Sequence, residues 1–199
     1  MNIREGDALI EARLTNGNSY VQLAGRDGYL CSFHESKARA IGRTATGVRG
    51  ISLSEGDEVV GMICVEGDIP EENLPQVLVV SENGYGKRSR IMDYRITNRG
   101  GKGVKTINVT EKTGPLIAIK DVTDDNDLMI INKSGITIRM AVSDIKVAGR
   151  ATQGVKLINI RENDSIAAVC VVSKSEEPAS AEQAADTEST PDNQQTQSE

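Results

Sequence analysis

"GRTATGVRG" (42–50), "NRGGKGVKT" (98–106) and "GRATQGVKL" (149–157) carry one pattern three times: an Arg, three loose residues, Gly-Val and a second cation. Working outward from the pattern, each copy follows an apolar run: SYVQLAG (19–25), QVLVVSE (76–82) and DLMIINK (127–133). A turn pair closes each run, Asp27-Gly28, Asn83-Gly84 or Ser134-Gly135. Such pairs between β-rich runs signal hairpins, because the turn needs positive φ angles that Gly tolerates. Each copy ends in alternating strands: ISLSEGDEVVGMICV, INVTEKTGPLIAIKDV and INIRENDSIAAVCVV. About four short strands recur in about fifty residues, the size of one propeller-like blade.

The register divides the chain into repeats at 19–75, 76–125 and 126–172. Residues 1–18 read as the closing part of a preceding blade, because NIREGDALIEARL (2–14) aligns with SLSEGDEVVGMIC (52–64). The chain thus reads as about three and a half blades cut from a longer protein. From 173 to 199 the sequence is poor in aliphatic residues and carries a net charge of −6. Such a segment cannot bury enough surface to offset its ordering entropy and is expected to be a disordered acidic tail.

Composition agrees with an all-β fold. Hydrophobic residues make up 38% of the chain and aromatics only 3%, with no Trp and one Phe, so Val, Ile and Leu must fill the interior. No apolar run is long enough for a membrane helix, and the first residues do not resemble a signal peptide, so a soluble cytoplasmic protein is expected. Cys31, Cys64 and Cys170 form no CxxC pair, and the apolar runs around Cys64 and Cys170 suggest buried thiols. His34 is the only histidine, which leaves little material for a zinc site or a Ser-His-Asp triad.

Charge is segregated. The windows 27–50, 83–106 and 134–157 together carry a net +11, and the rest of residues 1–172 carries −11. The same part of every repeat is therefore basic, and stacked repeats should present a positive stripe along one rim. Such a stripe suits a polyanion followed over distance. The scarcity of aromatics argues against stacking on unpaired bases. Gly-flanked loops with Arg and Lys suit the phosphates of a duplex, whose contacts position without reading sequence. The candidate DNA-binding residues are Arg39, Arg43, Arg49, Lys87, Arg88, Arg90, Arg95, Arg99, Lys102, Lys105, Arg139, Lys146, Arg150 and Lys156. A structural reading stands beside this one. The motif glycines could serve turn geometry alone, and Arg43, Arg99 and Arg150 could brace adjacent blades. The valines Val48, Val104 and Val155 are expected to pack inward.

With "GVRGISLSEGDEVV" (47–60), "NGYGKRS" (83–89), "GVKTINVTEKTG" (103–114) and "GRATQGV" (149–155) in view, residues 1 to about 172 resemble the C-terminal DNA-wrapping domain of the DNA gyrase A subunit. The resemblance implies a β-pinwheel, a propeller-like disc whose four-stranded blades exchange a strand with their neighbours. It also implies double-stranded DNA bent around the basic perimeter, in support of ATP-dependent negative supercoiling by the whole enzyme. The implied partners are the gyrase B subunit together with the rest of the gyrase A subunit. No cofactor is expected in this segment, ATP and Mg being used elsewhere in the parent enzyme. The family's box, Gln-Arg-Arg-Gly-Gly-Lys-Gly, has its nearest counterpart at Thr97–Gly103, which keeps only the last five residues and reads as a related phosphate-facing loop. The family's catalytic tyrosine lies upstream, so none of Tyr20, Tyr29, Tyr85 and Tyr94 is expected to be a nucleophile. Competing readings are a propeller-like protein-interaction module and the equivalent domain of a topoisomerase IV A subunit. A nucleotide site at Arg99–Gly103 lacks the spacing and the following helix of a phosphate loop.

Overall fold

The computed structural model describes residues 2–174; most of the acidic tail lies outside the described residues. Its regular structure is β-strand apart from short 3₁₀ turns. The strands are β1 (Ser19–Gly25), β2 (Tyr29–His34), β3 (Val59–Glu66), β4 (Gln76–Ser81), β5 (Tyr85–Arg90), β6 (Val104–Lys105), β7 (Leu116–Val122), β8 (Asn126–Asn132), β9 (Thr137–Ala141), β10 (Val155–Lys156) and β11 (Ile166–Ser173). They form antiparallel sheets ordered β3-β1-β2-β6, β10-β5-β4-β7 and β11-β8-β9. Residues 2–18 contain no strand.

The outer strands do not belong to the repeats whose sheets they complete. β6, the Gly-Val-Lys unit of the second repeat, pairs with β2 of the first, setting Val104 opposite Leu30 and Lys105 opposite Tyr29. In the same way β10 of the third repeat joins β5, with Val155 opposite Gly86 and Lys156 opposite Tyr85. In its second and third copies the motif is thus an arm that crosses to the preceding sheet. The third sheet has three strands because, among the described residues, no arm follows to cover β9.

The hairpin glycines behave as the turn chemistry requires, with positive φ at Gly28, Gly84 and Gly135. The arm glycines answer a harder constraint. A Cβ on Gly103 would lie 2.1 Å from the Leu30 carbonyl oxygen, and one on Gly154 would lie 2.5 Å from that of Gly86. Only a glycine lets the arm approach the receiving strand so closely.

β3 packs against β7 and β7 against β11, so these strands line the inner side and the arms lie at the outer edge. Between the sheets run two aliphatic clusters. Ala24, Leu30, Ile63, Val77, Val79 and Ile119 fill the first gap; Leu78, Val80, Val122, Leu128, Ile130 and Ile166 fill the second. β4 belongs to the middle sheet and buries Val77 to Val80 on both faces, which explains its unbroken apolar run. Each fully buried aliphatic side chain contributes about 1.5–3 kcal/mol. Cys31 is buried, but Cys170 is exposed, contrary to the expectation for its apolar run. It lies on the outward face of the last sheet, against which no further sheet stacks among the described residues.

Candidate nucleic-acid interface

Three equivalent segments build the basic outer edge. After β2, β5 and β9 the chain makes a 3₁₀ turn, at Glu35–Lys37, Ile91–Asp93 and Val142–Asp144. It then runs outward through Arg39, Arg95 or Lys146 toward Arg43, Arg99 or Arg150, and into the arm ending at Arg49, Lys105 or Lys156. Main-chain bonds fix the path: Thr97 N donates to Ser32 O at 2.7 Å, and Ala148 N donates to Arg88 O at 2.8 Å. Farther along, Thr106 N and Leu157 N donate to Gly28 O and Gly84 O, both at 2.8 Å.

Two of the three motif arginines, Arg99 and Arg150, act first as braces. Arg99 Nε donates to Lys37 O at 2.8 Å, and its Nη1 donates to Arg49 O. Arg150 Nη1 donates to Lys105 O at 3.0 Å. In both cases the guanidinium reaches the carbonyl of the second cation in the preceding motif, so consecutive arms are tied in series. Gly100 N and Ser52 N extend this tie through Gly50 O and Gly101 O at 2.8 and 3.0 Å. The Arg99–Gly103 loop is therefore seated on the preceding arm, while Lys102 remains exposed with its ammonium 4.4 Å from the Tyr29 ring centroid.

Two candidates leave the surface. Lys87 is 0% exposed and Arg88 5%. The third repeat's outward segment covers both. Lys87 Nζ donates to Ser89 Oγ at 2.7 Å and to Arg150 O at 2.9 Å. Burial, reinforced by the Arg150 charge and opposed by Asp93, lowers its pKa to about 8. Arg88 donates to Ile145 O at 2.8 Å and Ser143 O at 3.1 Å, and forms an ion pair with Asp124. These side chains hold the arm in place and are not open to a phosphate, which corrects the sequence expectation for both.

The other candidates stay at the edge. Arg39, Arg43, Arg49, Arg90, Arg95, Lys102, Lys146 and Lys156 are exposed, and no carboxylate lies in ion-pair range of them among the described residues. Lys105 is half-buried, with Nζ 3.2 Å from Asn108 Oδ1. Arg139 is exposed and ion-paired with Asp127 at 2.6 Å. Lys37, which is not among the sequence candidates, is exposed on the first of these segments and could have been found from its place between His34 and Arg39. Val104 packs against the core, whereas Val155 is 36% exposed. No group of three or more metal-ligating side chains occurs among the described residues.

The sequence and the fold both have relatives. The family model for the DNA gyrase C-terminal domain, beta-propeller, matches residues 20–66, 75–122 and 126–173, one match per repeat. The chain belongs to the DNA gyrase C-terminal domain family. It is 46% identical over 178 residues to the DNA gyrase A subunit of Staphylococcus aureus strain NCTC 8325, covering 89% of this chain and 20% of that protein. With the same protein of strain MRSA252 it shares 47% identity over 173 residues, or 86% of this chain and 19% of the relative. The chain thus spans about a fifth of these relatives. Among solved structures, a DNA gyrase A C-terminal domain superposes with a TM-score of 0.74 at 24% identity, covering 84% of this chain and 55% of the other. A topoisomerase IV C-terminal domain superposes with a TM-score of 0.77 at 21% identity, covering 86% and 52%. Both likenesses describe the fold. The 46% identity to a gyrase protein places the gyrase C-terminal domain family ahead of topoisomerase IV.

Proposed function

We propose that this chain binds and bends double-stranded DNA along its outer edge as the DNA-wrapping part of a gyrase A subunit. The observation that carries the reading is the series of exposed cations, without carboxylate partners among the described residues, on equivalent segments of all three repeats. A flexible or isolated cluster would meet only a few phosphates, whereas a series tied arm to arm meets a duplex along its length. Backbone carbonyls hold Arg99 and Arg150 in place, and these fix the neighbouring free cations. Binding of this kind positions the duplex without reading bases.

In the parent enzyme a gyrase B subunit would be an assembly partner, together with the remainder of the gyrase A subunit, and the whole would act on bacterial chromosomal DNA in the cytoplasm. ATP and Mg would serve the parent enzyme elsewhere, and supercoiling would be a property of the whole. The segment itself is read as non-catalytic.

The test is fluorescence anisotropy with two duplexes of unrelated sequence across a salt series, paired with end-to-end energy transfer to detect bending. With about six to nine phosphates neutralised, log K should fall against log salt with a slope of about −5 to −8. Affinity should be similar for both duplexes, and the ends should approach on binding. A slope shallower than about −2 would favour a protein-interaction module and overturn the reading.

A further inference from the structure

We infer that the cavity between the first two sheets receives an arginine side chain, presented beside an apolar residue on a partner peptide. The second gap shows how such a side chain is held. There Arg88 of β5 crosses to the 3₁₀ turn at Val142–Asp144 and the residue after it. It donates to Ser143 O at 3.1 Å and Ile145 O at 2.8 Å, and pairs with Asp124. Counted from the turn glycines Gly28 and Gly84, the residue equivalent to Arg88 in the first sheet is Ser32. Ser32 is too short to cross. The turn it faces, Ile91–Asp93, keeps the same backbone: the residue before it has φ −63° and ψ 137°, against −68° and 135° before Val142. Met92 O and Tyr94 O therefore stand where Ser143 O and Ile145 O do, and they accept no hydrogen bond among the described residues.

With no side chain equivalent to Arg88, a cavity of about 480 Å³ remains between these sheets, a size typical of ligand pockets. Its lining selects the guest. Gln22 stands where the next sheet has the fully buried Leu78; it is 2% exposed, and its Oε1 has no hydrogen-bond partner among the described residues. A buried polar atom without a partner is costly, and a donor brought in by a ligand relieves that cost. Around the opening, Glu66 and Glu71 face one cation, Arg95. Two carbonyls, an amide oxygen and an acidic rim favour a cation with several donors. A guanidinium serves two carbonyls with one planar fork, as Arg88 does, whereas an ammonium is a point donor. The rest of the space is walled by apolar side chains, among them Leu74, Met92 and Ile96, and the last two are 66% and 57% exposed. An apolar residue beside the arginine would cover them.

The probe is acetyl-Leu-Arg-Leu-amide, titrated into the full chain and followed by NMR of the Ile91 and Met92 methyl groups. About 0.15 M salt screens weak attraction to exposed acids elsewhere in the chain. Both methyl signals should shift, with a dissociation constant of about 0.1–1 mM. Citrulline in place of the arginine keeps the shape without the charge and should weaken binding at least about tenfold; lysine should weaken it at least about threefold. Ser32→Arg should abolish binding by filling the cavity from within, as Arg88 fills the second gap. Glu66→Gln should weaken binding about threefold by removing a rim charge. Absence of binding up to about 5 mM overturns the inference, as do equal affinity for the citrulline peptide and binding that leaves the two methyls unmoved. Unchanged affinity in Ser32→Arg also overturns it when that variant melts cooperatively like the parent. Should Ser32→Arg fail to fold, unchanged affinity in Glu66→Gln overturns it instead.

Discussion

Gly154 and Gly47 occupy equivalent positions with similar backbone angles, yet substitution should affect them differently. At Gly154 an added methyl combines positive-φ strain with a collision against the Gly86 carbonyl. Gly154→Ala should therefore cost about 2–4 kcal/mol in denaturant unfolding, and Gly47→Ala no more than about 1 kcal/mol. Lys87 offers a second test. Its folded pKa of about 8 lies below the ordinary lysine value of about 10.4, so between those values the unfolded chain holds a proton that the folded chain does not. Stability should rise with pH through this window, the penalty of the buried ammonium being complete below it. Lys87→Met should lack that rise, which urea midpoints at pH 7.5 and 10 would show. The turn glycines were legible because their pairs announce hairpins. The burial of Lys87 and Arg88 was not, since "GKRSR" reads as a polar surface strand until the third repeat's arm is laid over it. Cys170 misled in the opposite direction: an apolar run marks a strand but does not say which face has a neighbour.

Among the elements, the arm is where bracing and binding separate. Arg99 serves two carbonyls with one planar fork, which an ammonium on a flexible stem cannot reproduce. Arg99→Lys should cost about 1–2 kcal/mol of stability in thermal or urea unfolding. For DNA, Arg49→Ala and Arg95→Ala should each make the salt slope shallower by about 1, whereas Lys87→Met should leave it unchanged. Anisotropy titrations at three salt concentrations would check this. The repeat, its strands and its basic segment were all readable from spacing. Ownership of the outer strand was not, because a two-residue ladder such as Val104–Lys105 has no periodicity to reveal which sheet receives it. The braces escaped for a related reason: Arg99 and Arg150 bond to carbonyls, and carbonyls leave no signature in a sequence.

For the molecule as a whole, we propose that the acidic C-terminal segment competes with DNA for the basic outer edge. The outer edge is basic, and the segment after Ser173 carries a net −6. Removing residues 174–199 should tighten duplex binding at low salt and have little effect at high salt, where screening weakens the acidic segment's rivalry. Parallel titrations of the full and shortened chains would show it; equal affinities at low salt would dismiss the competition.

The crossing of arms between sheets also imposes an order on biosynthesis. The first sheet has its hairpin once His34 has been made, but its last strand begins at Val104. At 5–20 residues per second that interval lasts roughly 4–14 s. Through it the nascent hairpin keeps a bare edge near the ribosome, and a wrong strand arriving early would occupy the place of the right one. Cotranslational folding of this chain is therefore a wait at each of the first two sheets for the next repeat to be translated.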